Sequence, residues 1–360
     1  MEFLRDLEAF QIERTGTFVL AGVILLVMIL ERKMPYTKEV NFFRKDFWMD
    51  LLWYTLIQSY LLKLFIFDLV ILPFKNYMGW SGVGWISHWP IWFLVFLFLV
   101  THDFYIYWFH RWQHHNKWLW KTHEAHHSVR DVDWLAGSRS HPLEIFINQT
   151  IEFAPIILLL DSKTAAIIVP AKAFLDAVWG IWIHSNIDLK LGKAIYVING
   201  PEMHQWHHAN HKEVFYANYA TKFSFFDWLF GTAFLPEKRP VKWPILKPLG
   251  FGLPYRFPDT YLGQTIYSFY KVKIDKLNTL HFIHLLNNIK LRLPKRVHLK
   301  LRSWFNYIFS NNSFPYQLDD QKRKCPHCLS EINKYFDKNI QIHQCSKCGV
   351  VLEKKSEFVN

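Results

Sequence analysis

The 360-residue chain has no internal repeat and no low-complexity linker, and its four cysteines all lie after position 324. It also lacks the basic opening of a secretory signal, because four acidic residues precede the first apolar run, Thr17 to Leu30. A basic stretch follows that run. We therefore expect a retained membrane anchor rather than a cleaved peptide.

Apolar residues concentrate in further long runs. A helix needs about 20 mostly apolar residues to cross a hydrocarbon core about 30 Å thick, and Phe47 to Phe74 and Trp89 to Phe109 meet that length. A short polar tip separates Ile145 to Leu160 from Thr164 to Ile183, which predicts either a hairpin that enters the bilayer and returns or two thin spanning helices. The sequence therefore predicts an all-α integral membrane fold.

The net charge of +12 belongs largely to the C-terminal third of the chain. Basic residues there alternate with Leu, Phe, Tyr and Trp, which suits a helix on an anionic membrane surface. The spanning segments argue against nucleic acid as the partner of this charge. Basic residues after the first run place that loop in the cytoplasm. We therefore expect the histidine groups described next on the cytoplasmic face of a bacterial inner membrane or the endoplasmic reticulum.

Eight histidines fall in three short groups. Imidazoles three or four residues apart point the same way on an α-helix. Neutral imidazole suits iron, zinc and copper, and three such groups hold more nitrogens than one tetrahedral ion can use. The pattern therefore predicts a pair of bound metal ions. The groups are His110 and His114; His123, His126 and His127; and His204, His207 and His208.

Carboxylates are scarce in these groups, since Glu124 alone lies within them. A redox-inert zinc pair would need a hydrolytic base, whereas an all-nitrogen site with open positions suits iron that must bind dioxygen. Carboxylate-rich di-iron bundles use repeated Glu-x-x-His motifs together with further glutamates, whereas the groups here hold the single carboxylate of Glu124. A lone histidine is usually a hydrogen-bonded core residue, but eight at ligand spacing would cost several kcal/mol unless something bonded them.

Several segments resemble the sterol desaturase and fatty acid hydroxylase superfamily of integral-membrane oxygenases. They are HDFYIYWFHRWQHH (102–115), HEAHHS (123–128), SHPLE (140–144), IHSN (183–186), HQWHH (204–208) and NYATKFSFFDWLFGT (218–232). The resemblance covers roughly 47–232. It implies a non-haem di-iron site that activates O₂ to hydroxylate or desaturate a lipid, such as a sterol or a fatty acyl chain. It also implies that the eight histidines are iron ligands, with His184 as a further one.

Four other residues near these ligands are candidates for supporting roles. His102 lies eight residues before His110, about 12 Å along a straight helix, so we expect it to support a ligand or relay protons. We expect His141 either to orient a ligand through its other ring nitrogen or to be an ordinary hydrogen-bonded residue. Asp103 and Asp227 are expected to accept ring N–H groups, to link helices, or to form surface ion pairs.

The cysteines form two CxxC knuckles, Cys325 with Cys328 and Cys345 with Cys348, separated by sixteen residues. This spacing is typical of a zinc ribbon, in which four thiolates close a tetrahedral site. A cytoplasmic location disfavours disulfides. Iron in a rubredoxin-like electron carrier is the alternative, and such a module would supply electrons in place of a separate donor protein.

The predicted domains are an anchor with a basic loop (1–46), a membrane-embedded hydroxylase-like domain (47–260), a basic amphipathic linker (261–320) and a four-cysteine module (321–360). The predicted cofactors are two irons and one zinc or iron at the cysteines, with O₂ as co-substrate and a lipid as substrate.

Two other functions stay open. One is ether-lipid cleavage, as in relatives that resemble alkylglycerol monooxygenase, although His115 stands where those relatives carry a glutamate. The other is metal transport or storage. A transporter would need acidic or polar residues midway through its spanning helices, and the apolar runs here are expected to be polar mainly at their cytoplasmic ends.

Overall fold

The computed structural model describes residues 2–38, 40–79, 82–211, 214–236 and 250–270, with side chains from residue 16 onward, and the backbone of four short strands between residues 317 and 354. Among these residues, four helices are long and apolar enough to cross a membrane: Phe47–Tyr77, Ile91–His115, Pro142–Leu159 and Ser162–His184. The predicted helical membrane fold is confirmed. The anchor predicted in the first helix stays a prediction.

The helices in chain order are α1 (Glu2–Lys33), α2 (Phe47–Tyr77), α3 (Ile91–His115), α4 (Lys117–His127), α5 (Pro142–Leu159), α6 (Ser162–His184), α7 (Pro201–His207), α8 (Phe225–Leu229) and α9 (Tyr261–Phe269). Helix α2 is wound as a π-helix over Asp50–Leu62 and Phe67–Ile71. Short 3₁₀ turns lie at Ala136–Ser138 and Gly192–Tyr196.

Capping side chains start the helices that carry the first histidine groups. Asn116 ends α3, and its side-chain oxygen accepts hydrogen bonds from the backbone N–H groups of Trp118 and Leu119 at 2.8 and 3.2 Å. This cap starts α4 at once, so the histidines of α3 and α4 come onto adjacent helix faces. His141 caps α5 in the same way, with Pro142 at the first helical position.

Helices α5 and α6 form a hairpin that reaches the far side of the helical bundle. The backbone N–H of Asp161, in the hairpin turn, donates to Ser87 Oγ at 2.8 Å, and the backbone N–H of Val83 donates to the Leu158 carbonyl at 3.1 Å. The loop 82–90 connects α2 to α3. The two arms therefore reach the same level as the ends of those spanning helices, which favours the second of the two predicted alternatives.

An apolar core joins α2, α3, α5 and α6 away from the histidine end. Its buried members include Ile66, Leu94, Phe98, Phe153, Ile156 and Ile168. Because lipid tails are as apolar as these side chains, the cluster stabilises the bundle through close packing rather than through removal of apolar surface from water. The core packs the four helices against one another and so helps to fix which residues meet at the histidine end.

The described part of the C-terminal region is a four-stranded sheet in the order β1-β4-β3-β2. Its strands are β1 (Gln317–Leu318), β2 (Ile332–Asp337), β3 (Ile340–Cys345) and β4 (Val351–Lys354). Strand β3 pairs antiparallel with both β2 and β4, and β1 runs parallel to β4. Cys345 ends β3, and the other three cysteines lie outside the described residues. The four-cysteine module therefore stays a prediction.

Helix α9 falls within the segment predicted as a linker and packs on the membrane domain. The Tyr54 hydroxyl of α2 donates to Gln264 Oε1 at 2.5 Å, and the Tyr261 hydroxyl donates to Gln58 Oε1 at 2.9 Å. Of the rest of the predicted linker, 271–316 and 319–320 lie outside the described residues, and 317–318 form β1.

Candidate metal centre

All nine histidines expected as ligands lie together, buried, at one end of the spanning helices. They form two groups in which one ring nitrogen of each member lies within 4.8 Å of one from every other member. We call them the five-histidine group and the four-histidine group. The first holds His110, His114, His123, His127 and His207, and the second holds His126, His184, His204 and His208.

The two groups adjoin because consecutive residues divide between them. His126 and His127 follow one another at the end of α4, and each joins a different group. His207 and His208 divide in the same way at the end of α7. The ring centroids of His127 and His208 are 4.8 Å apart. The arrangement has the geometry of two neighbouring cation sites, and no carboxylate belongs to either group in the described part of the chain.

Backbone carbonyls fix the ring orientation in the five-histidine group. Three Nδ1 atoms lie 2.7 or 2.8 Å from a carbonyl oxygen, the pairs being His110 with Tyr219, His114 with Phe215 and His207 with Ala217. A carbonyl can only accept, so each of these Nδ1 atoms carries the proton and each Nε2 presents a lone pair. Sequence reasoning missed the segment 215–219, whose alternate carbonyls set all three tautomers.

The same logic applies to two rings of the four-histidine group. His126 Nδ1 lies 2.9 Å from the Arg139 carbonyl oxygen, and His184 Nδ1 lies 2.8 Å from the Gly180 carbonyl oxygen. Both Nε2 atoms therefore present lone pairs, and they face each other at 3.4 Å. Two lone pairs at this distance repel unless a cation lies between them.

The other two rings complete that group at ligand spacing. His204 Nε2 lies 2.8 Å from His184 Nε2 and 3.2 Å from His208 Nε2. Imidazole nitrogens bind a divalent first-row metal at about 2.0–2.1 Å, so two ligands at right angles are about 3 Å apart. The spacing and the donor set fit a bound transition-metal ion.

Burial keeps the rings outside the spanning segments neutral. It lowers the pKa of His127, His204, His207 and His208 well below the ordinary value of about 6.5, and the neighbouring histidines lower each pKa further. Metals bind the neutral ring. The centre is therefore ready to bind cations at neutral pH.

Comparison with known proteins agrees with this geometry. The family model described as "Fatty acid hydroxylase" matches residues 95–232, which include every histidine of both groups. Residues 95–232 are therefore similar to a fatty acid hydroxylase domain. No solved structure matches the chain significantly.

Curated relatives of the hydroxylase domain belong to one superfamily. Human alkylglycerol monooxygenase is 29% identical over 51% of this chain and 38% of its own length. The ornithine lipid hydroxylase OlsE of Rhizobium tropici is 29% identical over 43% of this chain and 46% of its own length. Methylsterol monooxygenase 1 of Rattus norvegicus is 32% identical over 37% and 44%. The chain thus spans less than half the length of these three relatives. Alkylglycerol monooxygenases are among the matching relatives, although this chain has His115 where we expected them to carry a glutamate.

Glu144 places a carboxylate next to the five-histidine group. Its Oε1 lies 3.4 Å from His123 Nδ1, which is the carboxylate–histidine pairing that orients metal ligands. The sequence analysis had offered His141 for such a role. Instead, His141 caps α5 through Leu143, and its Nε2 lies 3.3 Å from the Thr265 carbonyl oxygen. The alternative expectation, an ordinary hydrogen-bonded histidine, fits it.

Asp227 organises the backbone that holds the ligands. It accepts the backbone N–H groups of Tyr219 and Ala220 at 2.8 and 2.9 Å and the Thr232 hydroxyl at 2.7 Å. Burial raises the pKa of Asp227 to about 6. Asp103 likewise accepts the backbone N–H groups of Lys222 and Phe223. Neither aspartate accepts a ring N–H, so both serve the linking role that was one of the expected alternatives.

Asn218 completes this segment with the left-handed backbone φ of 58°. Asparagine tolerates that conformation better than most residues. Its side-chain amide donates to the carbonyls of Met203 and Phe234 at 2.9 and 2.8 Å, and its oxygen accepts the Phe234 N–H at 2.6 Å. The turn at Asn218 lets the carbonyls on either side of it face the histidines.

A buried network of ion pairs holds Arg139, the residue whose backbone carbonyl contacts the His126 ring. Arg139, whose carbonyl holds the His126 ring, pairs with Asp50 at 2.6 Å and Asp46 at 2.8 Å. Arg44 joins Asp50 and Asp133 at 2.7 Å each. Breaking one partner of such a network costs about 3–5 kcal/mol. Nothing in the sequence links these distant residues, and only the fold brings them together.

His102 belongs to a polar cluster deeper in the bundle. His102, Glu152 and Asp176 lie close enough to share an ion, but the Lys172 ammonium lies among them, at 3.0 Å from His102 Nδ1, 2.9 Å from Glu152 and 2.6 Å from Asp176. Lys172 takes the place of a cation there. The expectation that the runs are polar mainly at their ends was wrong, because single charges within apolar runs pair across helices.

A cavity of about 250 Å³ connects this cluster to the metal centre. Its lining includes His110, His126 and His184 at one end and His102 and Asp176 at the other. The cavity therefore opens onto both histidine groups.

Proposed function

We propose that the chain is a membrane-bound, non-haem di-iron oxygenase that performs O₂-dependent hydroxylation or desaturation of a lipid. The proposal depends on one observation above all, which is that nine buried imidazoles converge in two adjoining groups. Relatives named as lipid monooxygenases, hydroxylases and desaturases support the same chemistry.

The nine histidines would hold the two ions, five on one and four on the other. Bound iron supplies the redox chemistry that activates O₂ for attack on a C–H bond. The carbonyls of 215–219, Gly180 and Arg139 keep ring protons away from the metal-facing nitrogens, so the ligands need no reorganisation when iron binds. Ile106, Phe109 and Ile183 line the cavity beside the centre and would keep the reacting carbon in dry surroundings.

The donor set favours iron over zinc. A redox-inert zinc pair would hydrolyse its substrate with the help of a general base, and no carboxylate joins either group among the described residues. Five nitrogens also exceed the four that zinc usually takes. Neutral imidazole ligands with open positions suit iron that binds dioxygen.

Comparative lipid mass spectrometry of cells with and without the gene tests the proposal. We expect a lipid that gains the mass of one oxygen atom or loses two hydrogens only when the gene and O₂ are both present. His126→Ala should abolish this product while the protein still inserts in membranes. An unchanged product level in His126→Ala would refute the ligand role.

Ether-lipid cleavage by hydroxylation is a second candidate. It is favoured because the alkylglycerol monooxygenases of three vertebrates are among the relatives, at 28 to 30% identity. This reaction converts an alkylglycerol into a fatty aldehyde and glycerol, so an O₂-dependent aldehyde product would separate it from simple hydroxylation.

Metal transport is less well supported. Two acidic residues deep in the bundle are paired, Glu152 and Asp176 with Lys172 and Asp176 also with Lys222. Paired carboxylates do not offer a cation path. A transporter would show variable metal content and metal flux in vesicles, and an oxygenase would show neither.

The remaining parts of the proposal concern the surroundings of the centre. We place the active site on the cytoplasmic face, by the charge of the loop that follows α1. The four-cysteine module is proposed to bind zinc, or else iron as a tethered electron carrier, and in the first case a separate protein donates electrons. The domain order is proposed as predicted from the sequence.

A further inference from the structure

The deep half of the cavity contains buried polar atoms that have no hydrogen-bond partner in the described part of the chain. They are His102 Nε2, Gln149 Oε1 and Trp179 Nε1. All three residues line the cavity, and Gln149 is only 4% exposed. An unsatisfied buried polar group costs about 1–3 kcal/mol. Three of them around one cavity indicate a bound polar group.

The hydrogen-bonding roles of these atoms can be assigned. The Lys172 ammonium donates to His102 Nδ1 at 3.0 Å, so Nδ1 accepts and the neutral ring carries its proton on Nε2. The indole N–H of Trp179 can only donate, and Gln149 Oε1 can only accept. The cavity therefore offers two donors and one acceptor. A hydroxyl group, which accepts two hydrogen bonds and donates one, is their complement.

The charges around the cavity argue against an anionic ligand. Three ammonium groups and three carboxylates lie in or beside the deep half, namely Lys63, Lys172 and Lys222 with Asp103, Glu152 and Asp176. Their formal charges cancel. A carboxylate or phosphate would add an uncompensated charge within the spanning region, which costs several kcal/mol. A neutral polar group adds none.

The positions of the polar cavity residues along their helices give their distance from the histidine groups. His102 lies eight residues before His110 on α3, and Trp179 lies five residues before His184 on α6. These separations span about 12 and about 7.5 Å along a helix. Ile106 lies midway between His102 and His110 and lines the cavity, as do Ile145 and Ile183. The cavity therefore suits an apolar body with a polar end remote from the metal centre.

We propose that the substrate is a neutral lipid alcohol whose hydroxyl group is bound by His102, Trp179 and Gln149, so that a carbon about 8–12 Å away is presented to the metal centre. This inference rests on the proposed function in taking the cavity as the substrate site. It also distinguishes this chain from an enzyme that oxidises the carbon next to a polar headgroup.

Binding to the full chain in lipid nanodiscs, without a reductant, tests the inference independently of turnover. The probes are radiolabelled hexadecanol, palmitate and hexadecane, with empty nanodiscs as the background. We expect hexadecanol to bind at least about tenfold more tightly than either of the others. Tighter binding of palmitate, or equal binding of all three probes, would overturn the proposal.

Trp179→Phe removes the indole N–H and keeps an aromatic ring. It should weaken hexadecanol binding about fivefold, the value of one neutral hydrogen bond, and leave hexadecane binding unchanged. Trp182→Phe is the matched control, because Trp182 lies on the same helix and does not line the cavity. Equal hexadecanol affinity in the wild-type chain and Trp179→Phe would contradict the assigned donor.

Iron content and O₂-dependent product formation, measured on the same preparation, report separately on the proposed function. A chain that selects hexadecanol but holds no iron would refute the oxygenase and retain the alcohol site. A chain that holds two irons and oxidises palmitate faster than hexadecanol would retain the oxygenase and refute the alcohol site.

Discussion

Single ring nitrogens decide what this centre can bind. The clustering of the nine histidines could be predicted because helical spacing and the order of the boxes are visible in the sequence. Their tautomers could not, because each depends on a carbonyl far along the chain, such as that of Tyr219 for His110. The same holds for Glu144, which approaches His123 only after α5 packs beside α4.

His184→Ala should remove one of four ligands from the four-histidine group. We expect the iron content to fall from two per chain to about one, with loss of the oxidised lipid, because three rings hold the ion less tightly. Metal analysis of the purified variant measures this. The control is His115→Ala, since His115 neighbours His114 but belongs to neither group. An equal iron loss in both variants would contradict the assignment.

Asp227→Asn should destabilise the segment that holds three ligands. The carboxylate accepts two backbone N–H groups and a hydroxyl, and an amide has only one oxygen to offer. We expect a loss of about 1–3 kcal/mol in the free energy of unfolding, together with lower iron content. Thermal denaturation in detergent and metal analysis would measure both.

The control for that change is Asp161→Asn at the hairpin turn, where the side chain caps α6 by accepting the Thr164 N–H. Asparagine is about as good a cap as aspartate, so stability and iron content should hardly change. A stable, iron-loaded Asp227→Asn would show that the 215–219 segment needs no such anchor.

At the scale of elements, the 3₁₀ turn Ala136–Ser138 packs against the four-histidine group. A Cβ atom on Gly137 would lie 2.5 Å from His184 Nδ1, too close for both groups to keep their places. Gly137→Ala should therefore displace the His184 ring and lower the iron content by about one ion per chain, while the helical circular dichroism is retained.

Gly180→Ala serves as its control, because a Cβ there meets nothing within 4 Å. Alanine in a helix interior should stabilise α6 by up to about 1 kcal/mol and leave the iron content unchanged. Full iron loading of Gly137→Ala would mean that the His184 ring is not confined as the geometry indicates.

The elements themselves were largely predictable, and their pairings were not. The long apolar runs predicted the spanning helices, since length and composition suffice for that. The deep cluster around Lys172 escaped notice because it joins Lys172 and Asp176 of α6 to Glu152 of α5 and His102 of α3, and only the packing of the three helices brings them together. Helix α9 was assigned to a linker for its basic neighbourhood, although Tyr261 packs it onto α2.

Over the whole molecule, the bound ions would join separate parts of the chain. The nine ligands come from α3, α4, α6 and α7 with the residue that follows α7. A ligand that binds only the folded state raises its stability by about 4 kcal/mol at a thousandfold excess over Kd. Chelation of the metals should therefore lower the Tm by several degrees.

Readdition of ferrous iron to the chelated protein should restore both the Tm and the activity, whereas zinc should restore the Tm without activity. Differential scanning fluorimetry and the lipid assay distinguish these outcomes. If chelation left the Tm unchanged, the histidines would not act as a metal-dependent link between helices.

The central claim is that nine imidazoles hold two iron ions. The most direct measurement is the iron content of the full chain, purified without oxygen and analysed for all first-row metals. We predict two irons per chain at the histidines, besides one zinc or iron at the four cysteines. Fewer than two irons, or two zinc ions retained in the His110–His208 region after the cysteine module is removed, would contradict the account.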